Sequence, residues 1–179
     1  AWAVRALTTF HQCQSRYLEG AELLANAIRL LERNAQVEVN ASALATCLIR
    51  SSNLAVRLGR PAEAEQSLER AQRFYDLLPH QYRHNVVHVQ IACMILRLVQ
   101  GDYERAAALA QDARLQAQQQ NDLFAISPTL YGSASAALAL GKYEQARDYA
   151  EQGLALMESI GDHWMSISAH DILGQIACV

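Results

Sequence analysis

A six-residue pattern that begins with glycine recurs along the chain at a spacing of about forty residues. GDYERA at 101–106 and GKYEQA at 141–146 share four of six residues at a separation of 40. A third copy begins at Gly59, 42 residues before Gly101, and a looser copy begins at Ser15, 44 residues before Gly59. Self-similarity at a period of this length is typical of repeat proteins, in which each repeat is one supersecondary unit.

Small or slim residues follow each start of the pattern by five, nine and twelve positions. Steps of four and three residues place them on one face of an α-helix, where a small side chain lets a neighbouring helix approach closely. These positions are Gly20, Leu24, Ala27, Ala64, Leu68, Ala71, Ala106, Ala110, Ala113, Ala146, Ala150 and Gly153. Five residues before each start lie Phe10, Leu54, Leu96 and Ala136, each in a second apolar segment. Each copy therefore predicts a helix, a tight turn and another helix.

Composition favours helices throughout the chain. The sequence holds 31 Ala and 24 Leu but only nine Val and nine Ile, so helix formers dominate. Asp122 and Asp162 stand where helix N-caps belong, and Gly161 suits a left-handed C-terminal residue. We predict an all-α protein with helices over about 1–13, 17–33, 38–58, 62–78, 80–99, 103–120, 123–140, 143–159 and 163–178.

These features resemble the tetratricopeptide repeat family over essentially the whole chain. The resemblance rests on the Gly-x-Tyr-x-x-Ala turns at 101–106 and 141–146, the small residues that follow, and Leu173-Gly174. The period of 40 to 44 residues exceeds the family's usual value of about 34. Long periods of this kind are similar to the sensor domains of ATP-dependent LuxR-family regulators, of which the maltose activator is a relative. The resemblance implies one domain over 1–179, an α-α superhelix of about four and a half repeats.

In that family the first helix of each pair lines a concave groove. Residues ten, six and three before each turn fall on one stripe of these helices because the steps are again four and three. The groove candidates on this stripe are Asn53, Ile91, Ile95, Tyr131, Ser135, Asp171 and Gln175. Core packing is the alternative reading for Ile91 and Ile95. The polar candidates favour binding, because helix interiors seldom turn such groups inward without a partner.

No pattern for catalysis, for a metal or for a cofactor is convincing. His80, His84 and His88 lie four residues apart, but three successive helical turns are too long for one ion to reach all three. The four cysteines have no metal or redox spacing, so we expect small buried apolar residues in a reducing cytosol. Fourteen Arg and one Lys form no basic stripe, and no apolar stretch reaches membrane length, which argues against nucleic-acid and membrane partners.

The sequence therefore predicts a non-catalytic interaction or effector-sensing module, cut from a larger cytoplasmic signalling or transcription-regulating protein. Its partner is expected to be a protein or peptide, or a small-molecule effector. Two alternatives remain: a free-standing adaptor of the co-chaperone type, and a metal-dependent enzyme supported only by the histidine row. Ile172, Ile176 and Val179 end the chain within a helical pattern. They predict an apolar face that is exposed or used in a homodimer through the last helix.

Overall fold

The computed structural model describes residues 2–33, 38–79, 86–161 and 163–178. Within these ranges the chain forms nine α-helices and no β-strand, which confirms the all-α prediction. The helices are α1 (Trp2–Cys13), α2 (Tyr17–Glu32), α3 (Glu38–Arg57), α4 (Pro61–Leu77), α5 (Val86–Gln100), α6 (Tyr103–Gln119), α7 (Leu123–Ala139), α8 (Tyr143–Ile160) and α9 (His163–Ala177). The predicted ends agree within one residue, apart from the fifth start at residue 80, which lies outside the described residues.

The chain divides into two compact units, Ala1–Ala92 and Cys93–Val179. In the first unit α2 packs on α3, α3 packs on α4, and α1 packs on both α2 and α3. In the second unit α6, α7, α8 and α9 pack in chain order, and α7 also contacts α9. Helices in each unit therefore pack sequentially, as in a helical-repeat fold. The single domain over 1–179 stays a prediction.

The turn inside each helix pair has the same backbone geometry in all four copies. The hinge residue has a positive φ, which is 55° at Ser15, 70° at Gly59, 78° at Gly101 and 72° at Gly141. Its N–H donates to the carbonyl three residues earlier, and the next N–H donates to the carbonyl five residues earlier, with N···O distances of 2.8 to 3.2 Å. This pair of hydrogen bonds is the Schellman motif, which ends a helix. The recurring pattern therefore marks helix C-termini, and the predicted hinges are confirmed.

Replacement of Gly101 tests how much a hinge contributes to stability. An added Cβ would meet nothing within 4 Å, so the cost of alanine is conformational only. We expect Gly101→Ala to lower the free energy of unfolding by about 1 kcal/mol, because L-residues disfavour this φ. Gly101→Asn should lose less, since asparagine tolerates the left-handed region. Urea denaturation measures both, and an alanine variant as stable as the parent would contradict the explanation.

The connections between successive helix pairs also contain a residue with a positive φ. Asn121 has a φ of 53° and Gly161 a φ of 71°, so both stand in the left-handed region. Gly161 was expected there, whereas the sequence pattern did not single out Asn121. Asp122 caps α7 as predicted, because its carboxylate accepts a hydrogen bond from the Ala125 N–H at 3.0 Å. The Asp162 cap lies outside the described residues.

The predicted small-residue faces form the contact surfaces of the second helices. All of these positions are buried except Ala27, which is half-buried. On α6 the face consists of Ala106, Ala110, Ala113 and Ala117, all with no exposed surface. Because alanine projects only a methyl group, the neighbouring helices can approach closely at these faces.

The four residues that lie five positions before the hinges differ in burial. Leu54, Leu96 and Ala136 are buried, but Phe10 is 52% exposed. Among the described residues α1 packs mainly on α2 and α3.

The cysteines only partly follow the expectation of burial. Cys47 is buried and Cys93 is half-buried, whereas Cys13 and Cys178 are exposed. Burial raises the pKa of the Cys47 thiol, because a thiolate is disfavoured away from water. All four are free thiols. The exposed pair lies at the last turn of α1 and just beyond α9.

Ile172 and Ile176 do not form the exposed apolar face that was expected at the end of the chain. Both are buried, in a cluster with Ala134, Ala137, Ala146 and Ala150. Because α9 packs on both α7 and α8, its apolar stripe is used within the unit. Val179 lies outside the described residues. A homodimer through α9 stays a prediction and would need other residues of this helix.

Candidate ligand-binding surface

The predicted groove residues lie on first helices of the repeats and fall into both units. Asn53 on α3 and Ile91 on α5 belong to the first unit. The second unit holds Ile95 on α5, Tyr131 and Ser135 on α7, and Asp171 and Gln175 on α9. The surfaces of the two units are described separately.

In the first unit Asn53 is half-buried, and its side-chain oxygen has unmet hydrogen-bonding capacity. Its Oδ1 atom is buried and accepts no hydrogen bond from the described residues. A buried acceptor without a donor costs about 1 to 3 kcal/mol, so this atom needs a donor from a bound water or from a ligand. Ile91 is buried with the core, which agrees with the packing alternative for this residue.

Gln90, like Asn53, has a buried side-chain oxygen without a hydrogen-bond donor, and the sequence reasoning missed this residue. Its Oε1 atom is buried, and no described residue donates a hydrogen bond to it. Gln90 lies next to the predicted stripe of α5, one residue before Ile91. The available signal was an amide within a strongly apolar helix, VVHVQIACMILRLVQ, in which Gln90 interrupts an apolar run.

The second unit carries what we call the α7–α9 face, formed by Tyr131, Ser135, Leu138, Asp171 and Gln175. Tyr131 and Leu138 are half-buried and pack against the buried cluster that includes Ile172 and Ile176. Ser135 is half-buried, while Asp171 and Gln175 are exposed. The Gln175 side-chain amide donates a hydrogen bond to the Asp171 carboxylate, with Nε2 and Oδ2 2.9 Å apart.

The repeat period brings these residues to equivalent positions on two helices. Tyr131 and Asp171 are 40 residues apart, and so are Ser135 and Gln175. Forty residues is also the separation of the hinge patterns at Gly101 and Gly141. Since α7 and α9 contact each other, equivalent positions lie on neighbouring helices of one unit. The face therefore combines an aromatic ring, a hydroxyl, an amide and one carboxylate.

Charge in this unit is segregated between the two kinds of helix. The sequence of α7, LFAISPTLYGSASAALA, contains no charged residue, and Asp171 is the only Asp, Glu, Lys or Arg in α9. Helices α6 and α8 carry most of the helical charges, which are Glu104, Arg105, Asp112 and Arg114 on α6 and Glu144, Arg147, Asp148, Glu151 and Glu158 on α8. The part of α5 in this unit adds Arg97. The second helices therefore resemble ordinary solvated surfaces, whereas α7 and α9 do not.

Helix α7 also buries hydroxyl groups that the sequence reasoning did not single out. Thr129 is fully buried and donates to the Ile126 carbonyl at 2.6 Å. The Oγ atom of Ser127 is buried and has no hydrogen-bond partner among the described residues. Pro128 follows Ser127 inside the helix and removes one backbone donor.

The residues considered for metal binding give no centre in the described part of the chain. His80 and His84 lie outside the described residues, and His88 is half-buried on α5. Among the described residues no group of three or more His, Cys, Asp or Glu side chains could hold a metal ion. Within the same ranges no helix is long and apolar enough to cross a membrane.

Comparison with known proteins gives a structural relative only. No family model matches the sequence, and no curated protein matches it significantly. The crystal structure of BtubC (BKLC) from P. vanneervenii is similar, with a TM-score of 0.69 and 14% sequence identity. The match covers 89% of this chain and 65% of BtubC, so the chain spans about two thirds of that protein's length. BtubC is a helical-repeat protein, and the likeness supports a helical-repeat fold for this chain.

Proposed function

We propose that the chain is a non-catalytic binding module of the tetratricopeptide-like type, and that its α7–α9 face holds a peptide segment of a partner protein. The observation that carries the proposal is the segregation of charge. Second helices expose many charged residues, whereas α7 has none and α9 has one. Binding surfaces are commonly depleted in charge and enriched in aromatic side chains, a combination present on this face with Tyr131.

Asn53 supports a binding role for the first unit independently. Its buried Oδ1 atom needs a hydrogen-bond donor, and the backbone N–H of a bound peptide is the simplest donor of suitable size. A small-molecule effector with an N–H or O–H group would satisfy the same atom.

We further propose that the module belongs to a larger cytoplasmic signalling or transcription-regulating protein. The support is the sequence resemblance to the long-period repeats of ATP-dependent LuxR-family sensor domains. Sequencing of the flanking gene tests this parent assignment. An upstream nucleotide-binding ATPase and a downstream helix-turn-helix domain are the expected result, and neither would be found next to a free-standing adaptor.

Selection from a phage-displayed library of random dodecapeptides tests the binding role. The chain should enrich a limited set of sequences, and Gln175→Arg should weaken binding of the enriched peptides by about tenfold because a long cation then occupies the face. The matched control is Gln152→Arg, which places the same change on exposed α8. Thermal melting should be unchanged in both variants. Equal binding by Gln175→Arg, or equal losses in both variants, would contradict the proposed face.

A further inference from the structure

We infer that the α7–α9 face selects peptides that carry one Arg or Lys side chain among apolar residues, and that Asp171 is the residue that recognises the cation. The inference rests on the proposed function, because it names the chemistry of the ligand that the same face would take. It draws on the position of one carboxylate, its uncharged surroundings and the exposed apolar side chains beside it.

The Asp171 carboxylate is oriented but still has capacity to accept hydrogen bonds. Gln175 lies one helical turn later, and its amide donates to Oδ2 at 2.9 Å. A carboxylate offers about four acceptor positions, so this single bond leaves most of them for another donor. An Arg guanidinium or Lys ammonium is the strongest partner for such a group, and arginine can bind it in a bidentate manner.

No other carboxylate on these two helices competes with that role. Helix α7 contains no Asp, Glu, Lys or Arg, and α9 contains only Asp171. The second unit as a whole contains ten Asp or Glu against five Lys or Arg, a net charge of −5. Its field therefore attracts cationic segments and repels acidic ones. An acidic peptide terminus would meet like charge at Asp171.

Large apolar side chains are exposed on both helices of this face. Ile167 lies one turn before Asp171 on α9 and is 64% exposed. Phe124 lies seven residues before Tyr131, on the same stripe of α7, and is 61% exposed. Exposed large apolar residues beside a binding surface favour apolar contacts with a ligand. The expected peptide therefore combines one basic side chain with apolar or aromatic neighbours.

The dodecapeptide selection, repeated with Asp171 variants, tests the inference. The wild-type chain should enrich peptides with Arg or Lys next to apolar residues. Asp171→Asn keeps the size of the side chain and should weaken binding of the best synthetic peptide by about fivefold, with a smaller loss at high ionic strength. Asp148→Asn, on exposed α8, is the matched control and should bind as the wild type does. Asp171→Lys should shift the enrichment towards acidic peptides.

A peptide in which citrulline replaces the selected arginine separates charge recognition from general binding. The citrulline peptide should bind the wild type about as weakly as the arginine peptide binds Asp171→Asn. Its affinity should be no lower for Asp171→Asn than for the wild type. Enrichment of neutral or acidic peptides would overturn the inference while leaving the proposed binding face intact. Full affinity of the best peptide for Asp171→Asn would do the same. Failure to enrich any peptide would overturn both.

Discussion

Replacement of Ile172 by alanine is expected to lower the free energy of unfolding by about 3 kcal/mol. The side chain is 3% exposed and fills the space between α7, α8 and α9. Four of its cluster neighbours are the alanines Ala134, Ala137, Ala146 and Ala150, which cannot extend into the vacated volume. Large-to-small substitutions at sites that do not collapse cost about 2 to 5 kcal/mol, because a cavity remains. Urea denaturation followed by circular dichroism measures the loss.

Ile167 on the same helix provides the control. It is 64% exposed, so Ile167→Ala should change the free energy of unfolding by no more than about 0.5 kcal/mol. If both variants lost the same stability, α9 would not pack on α7 and α8 through Ile172. An unchanged Ile172→Ala variant would mean that this residue belongs to a free terminal face, as the sequence alone had suggested.

Replacement of Gly132 by alanine is the second large change that we expect, with a net loss of about 1 to 2 kcal/mol. A Cβ atom at this position would lie 2.1 Å from Sδ and 2.6 Å from Cε of Met94. Met94 is fully buried, so its side chain cannot move into solvent and must repack within the core. Overpacking costs about 1 to 3 kcal/mol, from which the higher helix propensity of alanine recovers up to about 1 kcal/mol.

Two further variants separate overpacking from helix propensity. Gly174 lies in α9, and an added Cβ would meet nothing within 4 Å, so Gly174→Ala should stabilise the chain by about 0.5 to 1 kcal/mol. Met94→Ala should be destabilising alone, but its combination with Gly132→Ala should cost less than the sum of the two. Additive effects in this cycle would show that the two side chains do not compete for the same volume.

The hinges and the helix pairs could be predicted because they depend on local chemistry. A positive φ at Gly59, Gly101 and Gly141, the cap at Asp122 and the small faces of the second helices all follow from short patterns. The looser copy at Ser15 was also placed correctly, although serine adopts this φ less readily than glycine.

The covering of the terminal helices could not be predicted in the same way. An amphipathic stripe tells which residues seek burial but not which neighbour covers them. Ile172 therefore proved buried, against the expectation of an exposed apolar face. The candidate face shows the same limit, because Tyr131 packs against the buried cluster and periodicity cannot separate packing from ligand binding. The unpartnered oxygens of Asn53 and Gln90 depend on tertiary surroundings.

Sequential packing has a consequence for how the second unit acquires its structure. Among the described residues its main contacts join α6 to α7, α7 to α8, α8 to α9 and, more weakly, α7 to α9. The loops that must close are therefore short, and proteins dominated by near-neighbour contacts fold in microseconds to milliseconds. Ribosomes add only about 5 to 20 residues per second, so each helical hairpin has time to form before its successor has been synthesised. Assembly can thus advance hairpin by hairpin during translation.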